Sequence, residues 1–285
     1  MIGNIFIPLL LPKNMKRFDQ IIKDIKEVKT QGAESIALAG MQAFLLQNDK
    51  TSVDEILKTR STEPMMQNLI RFLQKSKNPR QTAQKLKKYI KQADKQIAIK
   101  SSSLVEKNLN IFSHCHSTTV MRILKHAYKK QKKNFVVYTT EVEPLLQGRK
   151  TAEELANAGI KVIVFPDLAA EQAIKKCDIF LFGVDAFSKK GLANKIGTSA
   201  FCKLAKEFNI PRVACTISLK YTNKIVLEQR PSKEVWDERH KKIEVINPAF
   251  DFVDSRLITA VASEFGILPY GLFVKQAREN LRKLI

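Results

Sequence analysis

The chain of 285 residues contains no CxxC pair, no GxxxxGK[ST] loop, no dinucleotide fingerprint and no apolar run long enough to cross a membrane. Its four cysteines, Cys115, Cys177, Cys202 and Cys215, therefore build neither a zinc ribbon nor a disulfide framework. They read as reduced thiols of an intracellular, cytoplasmic protein. Without a P-loop or a GxGxxG turn, neither P-loop nucleotide binding nor hydride transfer from a dinucleotide is expected. Beyond His114-Cys115-His116 no further His/Cys cluster exists to complete a metal shell, so no metal and no cofactor is expected. The apolar opening Met1–Pro12 is short and interrupted by Pro8 and Pro12. Its charges, Lys13, Lys16 and Arg17, follow the apolar run, the wrong order for a signal peptide. Residues 1–14 read as an apolar extension, with folded structure starting near Met15.

What is present is an ordinary globular balance, 44% hydrophobic and 27% charged, with a formal charge of +21. The excess is shared about equally between residues 1–105 and the remainder, so there is no basic arm. Such a field favours anionic ligands, phosphorylated metabolites or RNA. No RRM, KH or zinc-finger pattern is present, and a lysine-rich solvated surface explains the charge better than nucleic-acid binding does. Neither nucleic acid nor membrane is an expected partner.

Residues 15–105 read as a helical domain. Phe18, Ile21, Ile22, Ile25 and Val28 recur at helical spacing, as do Ile36, Ala39, Ala43 and Leu46. Asn78-Pro79 is a helix start, followed by the stripe Leu86, Tyr89, Ile90, Ala93 and Ile97. From residue 106 the texture becomes α/β. Apolar runs at 111–113, 135–139, 161–165, 179–183 and 212–217 alternate with helical segments at 118–129, 151–158, 169–175 and 195–208. A strand at 257–264 and a helix at 273–284 close the chain. The pattern predicts a Rossmann-like, doubly wound parallel sheet after the helical domain.

Polar residues cluster at the carboxyl ends of the predicted strands, the ligand-binding edge of such sheets: Cys115, Glu141, Asp185 and Lys220. Cys115 precedes a helix and is flanked by His114 and His116, surroundings that lower a thiol pKa. On an extended segment consecutive residues point to opposite sides, which argues against joint metal binding by this trio. Asp185, if buried opposite Cys115, holds a proton near neutral pH and becomes a candidate acid. Asn194-Lys195 is read as a helix opening, with Ile196-Gly197-Thr198 letting the backbone approach a ligand.

Several of these segments together are distinctive: His114-Cys-His-Ser117, Thr140-Glu141 with Pro144, Gln147-Gly148, Thr151–Leu155, Gly183-Val-Asp185, Asn194–Thr198 and Asn247–Asp251. The array resembles the superfamily of initiation factor 2B regulatory subunits, methylthioribose-1-phosphate isomerase and archaeal ribose-1,5-bisphosphate isomerase, most closely the last. The resemblance implies Cys115 as proton acceptor from C2 of an open-chain sugar phosphate and Asp185 as donor to the developing oxyanion. It places substrate contacts on Gln31, Gly32, Ala33, Arg60, His116, Ser117, Gln147, Asn194, Lys195 and Lys220. It further implies a homo-oligomer built from dimers. Three positions depart from the pattern: Gln31 replaces an arginine, Glu143 an arginine and Thr118 a lysine. The reading is an aldose–ketose isomerase acting on a phosphorylated pentose. The alternative is a non-catalytic regulatory subunit or a sensor of sugar phosphates or nucleotides.

Overall fold

The computed structural model describes residues 13–284 apart from Arg239. Most of the expected extension thus lies outside the described residues, and Lys13 and Asn14 begin the first helix. Five helices come first: α1 (Lys13–Lys26), α2 (Ala33–Leu46), α3 (Lys50–Thr59), α4 (Pro64–Gln74) and α5 (Pro79–Ser101). Their starts follow local chemistry. The carboxylate of Asp49 accepts from Ser52 N at 3.1 Å to cap α3. Asn78 does the same for α5 through Gln81 N, with Pro79 at the first helical position.

The α/β part runs β1 (Asn110–His114), α6 (Thr118–Gln131), β2 (Val136–Thr140), α7 (Gln147–Asn157), β3 (Lys161–Phe165), α8 (Ala170–Ile174) and β4 (Ile179–Gly183). Next come β5 (Ala186–Phe187), β6 (Gly191–Lys195), α9 (Thr198–Glu207), β7 (Arg212–Cys215), β8 (Phe250–Asp254), β9 (Ala260–Ser263), β10 (Gly266–Leu268) and α10 (Tyr270–Lys283). The main sheet has the order β10-β9-β7-β4-β1-β2-β3, parallel except for β10, which pairs antiparallel with β9. From β1 the chain steps outward to β2 and β3, then returns to place β4 on the other side of β1. β1 and β4 therefore flank the topological switch point.

Both faces of the sheet are covered, as a mostly parallel sheet requires. Ile111, Val137, Leu181 and Val213 pack with α2, α4, α5 and α6 in one continuous core that crosses the sequence boundary at residues 105–106. Phe112, Phe180, Phe182 and Ala214 face α8, α9 and α10. The rings of Phe112 and Phe180 lie 5.0 Å apart and those of Phe180 and Phe182 4.8 Å. Each of these three side chains is fully buried, worth about 1.5–3 kcal/mol.

The structure departs from the sequence reading in the second half. Asn194 and Lys195 do not open a helix. They end β6, the middle strand of a small antiparallel sheet ordered β5-β6-β8, in which Asn194 pairs with Asp251 and Lys195 with Phe250. The helix begins at Thr198, with Gly197 as its N-cap at φ 97°. The predicted strand at 257–264 is shorter, because Ser255–Leu257 forms a 3-10 turn before β9. Strands this short leave too little alternation to be read.

Candidate active site

β1 delivers His114 to the sheet edge, and there the backbone leaves the extended conformation. Cys115 adopts φ 65°, a left-handed conformation that is uncommon for a residue with a Cβ. Ser117 then caps α6, its Oγ accepting from Val120 N at 3.4 Å. Beside it, Gly183 ends β4. A Cβ there would lie 2.7 Å from Ser117 Cβ and Oγ, so only glycine lets β4 and the start of α6 come so close. Two residues further, Asp185 emerges at the same edge. The expected alternation fails at Cys115: because of its left-handed turn, His114, Cys115 and His116 all line one cavity.

The small sheet brings Asn194 to Asp185. With both ends of its amide satisfied, Asn194 Nδ2 donates to Gly183 O at 2.9 Å and to Asp185 Oδ2 at 3.3 Å, while its Oδ1 accepts from Thr198 Oγ1. Asp251, the last residue of the Asn247–Asp251 segment, reaches across from β8. Its Oδ2 accepts from Gly197 N at 2.8 Å and Ser199 N at 3.1 Å, capping α9. Lys220 sits in a 3-10 turn after β7, its Nζ donating to Val184 O at 2.6 Å. Asn68 of α4 anchors that turn by donating to Leu219 O and Tyr221 O at 2.8 and 3.0 Å.

The helical part forms the opposite wall. α2 starts at Gly32, whose φ of 85° suits only glycine and which offers no side-chain cap; Gly32 and Ala33 line the cavity, so the uncapped helix start borders it. Arg60 is the C-cap of α3 and Glu63 the N-cap of α4. Between the two walls lies a cavity of about 260 Å³. Cys115, Asp185, Gln31, Gly32, Ala33, Arg60, His116, Ser117, Gln147, Asn194, Lys195 and Lys220 all line it, as does Thr118. Glu141 and Glu143 are not among its lining residues; Glu141 is held by Arg149, whose Nε donates to it at 2.7 Å.

Burial sets the protonation of the pair. Cys115 is pushed up to about 11, first by desolvation and further by the Asp185 carboxylate, with Lys195 opposing. The expectation of a lowered thiol pKa is thus corrected: the flanking histidines carry no charge to help. His114, enclosed by protein, falls to about 4, and His116 is also lowered by burial and by Lys150. Asp185 is raised by desolvation against the pull of Lys220, Lys195 and Arg60.

Sequence reasoning passed over Glu63, Arg230 and Lys150, which line the same cavity. Glu63 is 2% exposed, and its Oε2 makes no hydrogen bond within the protein. Arg60 Nε, His114 Nδ1 and Gln147 Oε1 are likewise buried without a partner. His114 Nε2 bonds Ile196 O at 2.9 Å, which makes Nε2 the donor and leaves Nδ1 an open acceptor. The position of Glu63 immediately before Pro64, a helix-start signal three residues after Arg60, was the available clue. Among the described residues, no group of His, Cys, Asp and Glu is arranged to hold a metal, and no helix is long and apolar enough to cross a membrane.

The fold and site define an α/β protein with a small cavity, carrying several charged side chains, at the switch point of its sheet and roofed by helices. The chain belongs to the initiation factor 2 subunit family, whose model matches residues 16–270. It is 30% identical over 233 residues to ribose 1,5-bisphosphate isomerase of Methanocaldococcus jannaschii, covering 75% of this chain and 74% of the relative. It is 35% identical over 209 residues to methylthioribose-1-phosphate isomerase of Symbiobacterium thermophilum, covering 65% and 58%. The crystal structure of the Pyrococcus horikoshii OT3 translation initiation factor eIF-2B superposes with a TM-score of 0.81 at 24% identity, covering 93% of this chain and all of that one.

Proposed function

We propose that this protein is a phosphosugar isomerase that interconverts an aldose phosphate and a ketose phosphate by proton transfer between Cys115 and Asp185. The observation that carries the reading is the convergence of these two groups, with Lys195, on one cavity at the switch point. The names of the two relatives support it, both being sugar-phosphate isomerases.

The raised thiol pKa fits a pair that shares its protons. Transfer of a proton from Cys115 to Asp185 creates the base and the acid together, and the raised pKa of Asp185 helps it hold that proton. The Asp185 carboxyl then protonates the ring oxygen as the C1–O bond opens. The Cys115 thiolate takes the proton from C2, leaving an enol between C1 and C2. Return of that proton to C1, with removal of the C2 hydroxyl proton by Asp185, gives the ketose and regenerates the thiolate and carboxylic acid. Passage of the proton from Asp185 back to Cys115 restores the resting pair. General acid–base steps of this kind contribute roughly 10²–10⁴-fold. The open amides at the start of α2, with Ser117, Lys150 and Lys195, supply the contacts for a phosphoryl group. The proposal includes a homo-oligomer built from dimers, supported by the exposed apolar side chains Val226, Leu227 and Ile246 on the segment between β7 and β8.

The test is turnover on a panel of phosphorylated pentoses, beside Cys115→Ser and Asp185→Asn. Both variants lose turnover by at least 10²-fold while still binding ligand, because the phosphate contacts come from other residues. Turnover that survives in either variant removes that residue from the mechanism. A parent inert toward every phosphorylated pentose, yet binding one, favours the second reading, a non-catalytic regulatory or sensing protein. The high thiol pKa is the observation on that side.

A further inference from the structure

One wall of the cavity carries charges that cancel. Arg60 Nη2 lies 3.2 Å from Glu228 Oε2 and 3.7 Å from Glu63 Oε1, with the three side chains 11%, 16% and 3% exposed. Thr62 Oγ1 fixes the same Glu228 oxygen at 3.1 Å. Arg230 also lines the cavity and is engaged as well: its Nη1 lies 3.2 Å from Glu228 Oε1, and Nη2 pairs with Glu234. Two guanidinium groups thus face two carboxylates and Glu63. Glu63 itself is pushed up to about 8, by burial first and then by Asp185, against Arg60 and Lys220. At neutral pH this wall has no net positive charge.

A phosphoryl dianion brought to Arg60 would find the guanidinium charge already neutralised by Glu228 at 3.2 Å, in a place shielded from water where that carboxylate repels a second anion. The unpartnered polar atoms ask for something else. Arg60 Nε offers a donor, and Glu63 Oε2 a group able to accept or, when protonated, donate. A hydroxyl group both accepts and donates, so it suits this wall without disturbing the ion pairs. By contrast, Lys150 and Lys195 line the cavity with no carboxylate in salt-bridge contact among the described residues, which leaves their ammonium groups available to a phosphate.

We infer that Glu228 and Glu63 are specificity-determining residues that make the Arg60 wall accept a sugar hydroxyl and exclude a second phosphoryl group, so that the substrate is an aldose monophosphate. The inference rests on the phosphosugar reading of the site but not on turnover. It concerns what the cavity binds.

The experiment measures ribose 1-phosphate and ribose 1,5-bisphosphate side by side, by kcat/KM and by calorimetric Kd, on the full chain and on Glu228→Gln and Glu63→Gln. The parent favours the monophosphate at least tenfold. Glu228→Gln releases Arg60 and moves the ratio at least tenfold toward the bisphosphate. Glu63→Gln keeps an acceptor at the wall and moves it less. A parent that prefers the bisphosphate overturns the inference, as does a ratio unchanged in Glu228→Gln. Should Glu228→Gln fail to fold, the parent's own ratio decides. Binding without turnover sinks the isomerase reading alone, and the Kd ratio still judges the wall. Failure of both sugars to bind overturns the two together.

Discussion

The protonation of Cys115 is open to direct measurement through its alkylation rate. A thiol of ordinary pKa 9.0 is pushed up to about 11 in this cavity. Only the thiolate reacts with iodoacetamide, so at any pH below 9 the reactive fraction falls about 100-fold relative to an unperturbed thiol. Peptide-resolved mass spectrometry separates Cys115 from Cys177, Cys202 and Cys215, which burial pushes to about 12. The Cys115 rate climbs about tenfold per pH unit from 7 to 10 without levelling. Asp185→Asn removes a carboxylate that raises the thiol and so increases the rate. Lys195→Gln removes a cation that lowers it and decreases the rate. A stability consequence accompanies this. The folded state holds the proton more tightly than the unfolded chain, so the contribution is fully present below about pH 9 and is lost as pH rises through 11. Two pKa units correspond to about 2–3 kcal/mol. A rate that levels off at or below pH 9 would refute the desolvation argument, and with it the need for proton transfer within the pair.

Two other consequences concern the framework. Gly183→Ala places a methyl 2.7 Å from Ser117 and overpacks the junction of β4 and α6, costing about 1–3 kcal/mol and disturbing the helix cap. A thermal midpoint unchanged within a degree would show that Ser117 moves aside freely. Glu264 accepts from Ser218 N at 3.0 Å and from Tyr89 Oη at 2.8 Å, tying α5 to the turn that carries Lys220. Glu264→Ala removes the shared acceptor of Ser218 N, Ser218 Oγ and Tyr89 Oη. The two hydroxyls can still pair with each other at 3.1 Å, so the buried Ser218 N is the donor left unpaired, at about 1–3 kcal/mol. Denaturant midpoints that coincide with the parent's would rule out that network as a support.

The two-part texture of the chain was legible because its cores are periodic. The stripe from Leu86 to Ile97 became α5, and the runs at 111–113, 161–165 and 179–183 lie within strands that join as parallel neighbours. The small antiparallel sheet escaped notice because β5 has two residues and β6 reads Gly-Leu-Ala-Asn-Lys, with no alternation to mark it. Its partner β8 lies more than fifty residues on, a pairing no local pattern encodes. Within the cavity, Cys115 and Asp185 were readable as strand-end residues. The protonation of Cys115 was not, because it depends on enclosure by a wall from α2, α3 and α4 that sequence order does not bring near. Arg60 could be named, but its pairing with Glu228, 168 residues away, exists only in the folded chain.

That division of labour has a physical logic. The two groups proposed to transfer protons, Cys115 and Asp185, stand on the loops that leave two adjacent central strands, β1 and β4, whose register is held by buried neighbours on both faces. Their mutual placement is therefore over-determined by the core. The groups that line the rest of the cavity come from elsewhere: Gln31 and Gly32 before α2, Arg60 and Glu63 between α3 and α4, and Arg230 on the segment between β7 and β8. Loops and helix ends tolerate exchange of charge where strands do not. Setting Glu228 against Arg60 changes the charge of a cavity wall without touching Cys115, Asp185 or the strands beneath them. On the proposed reading, one sheet edge keeps a single pair of facing groups while the walls above it select among anionic sugars by how many of their cations are left unpaired.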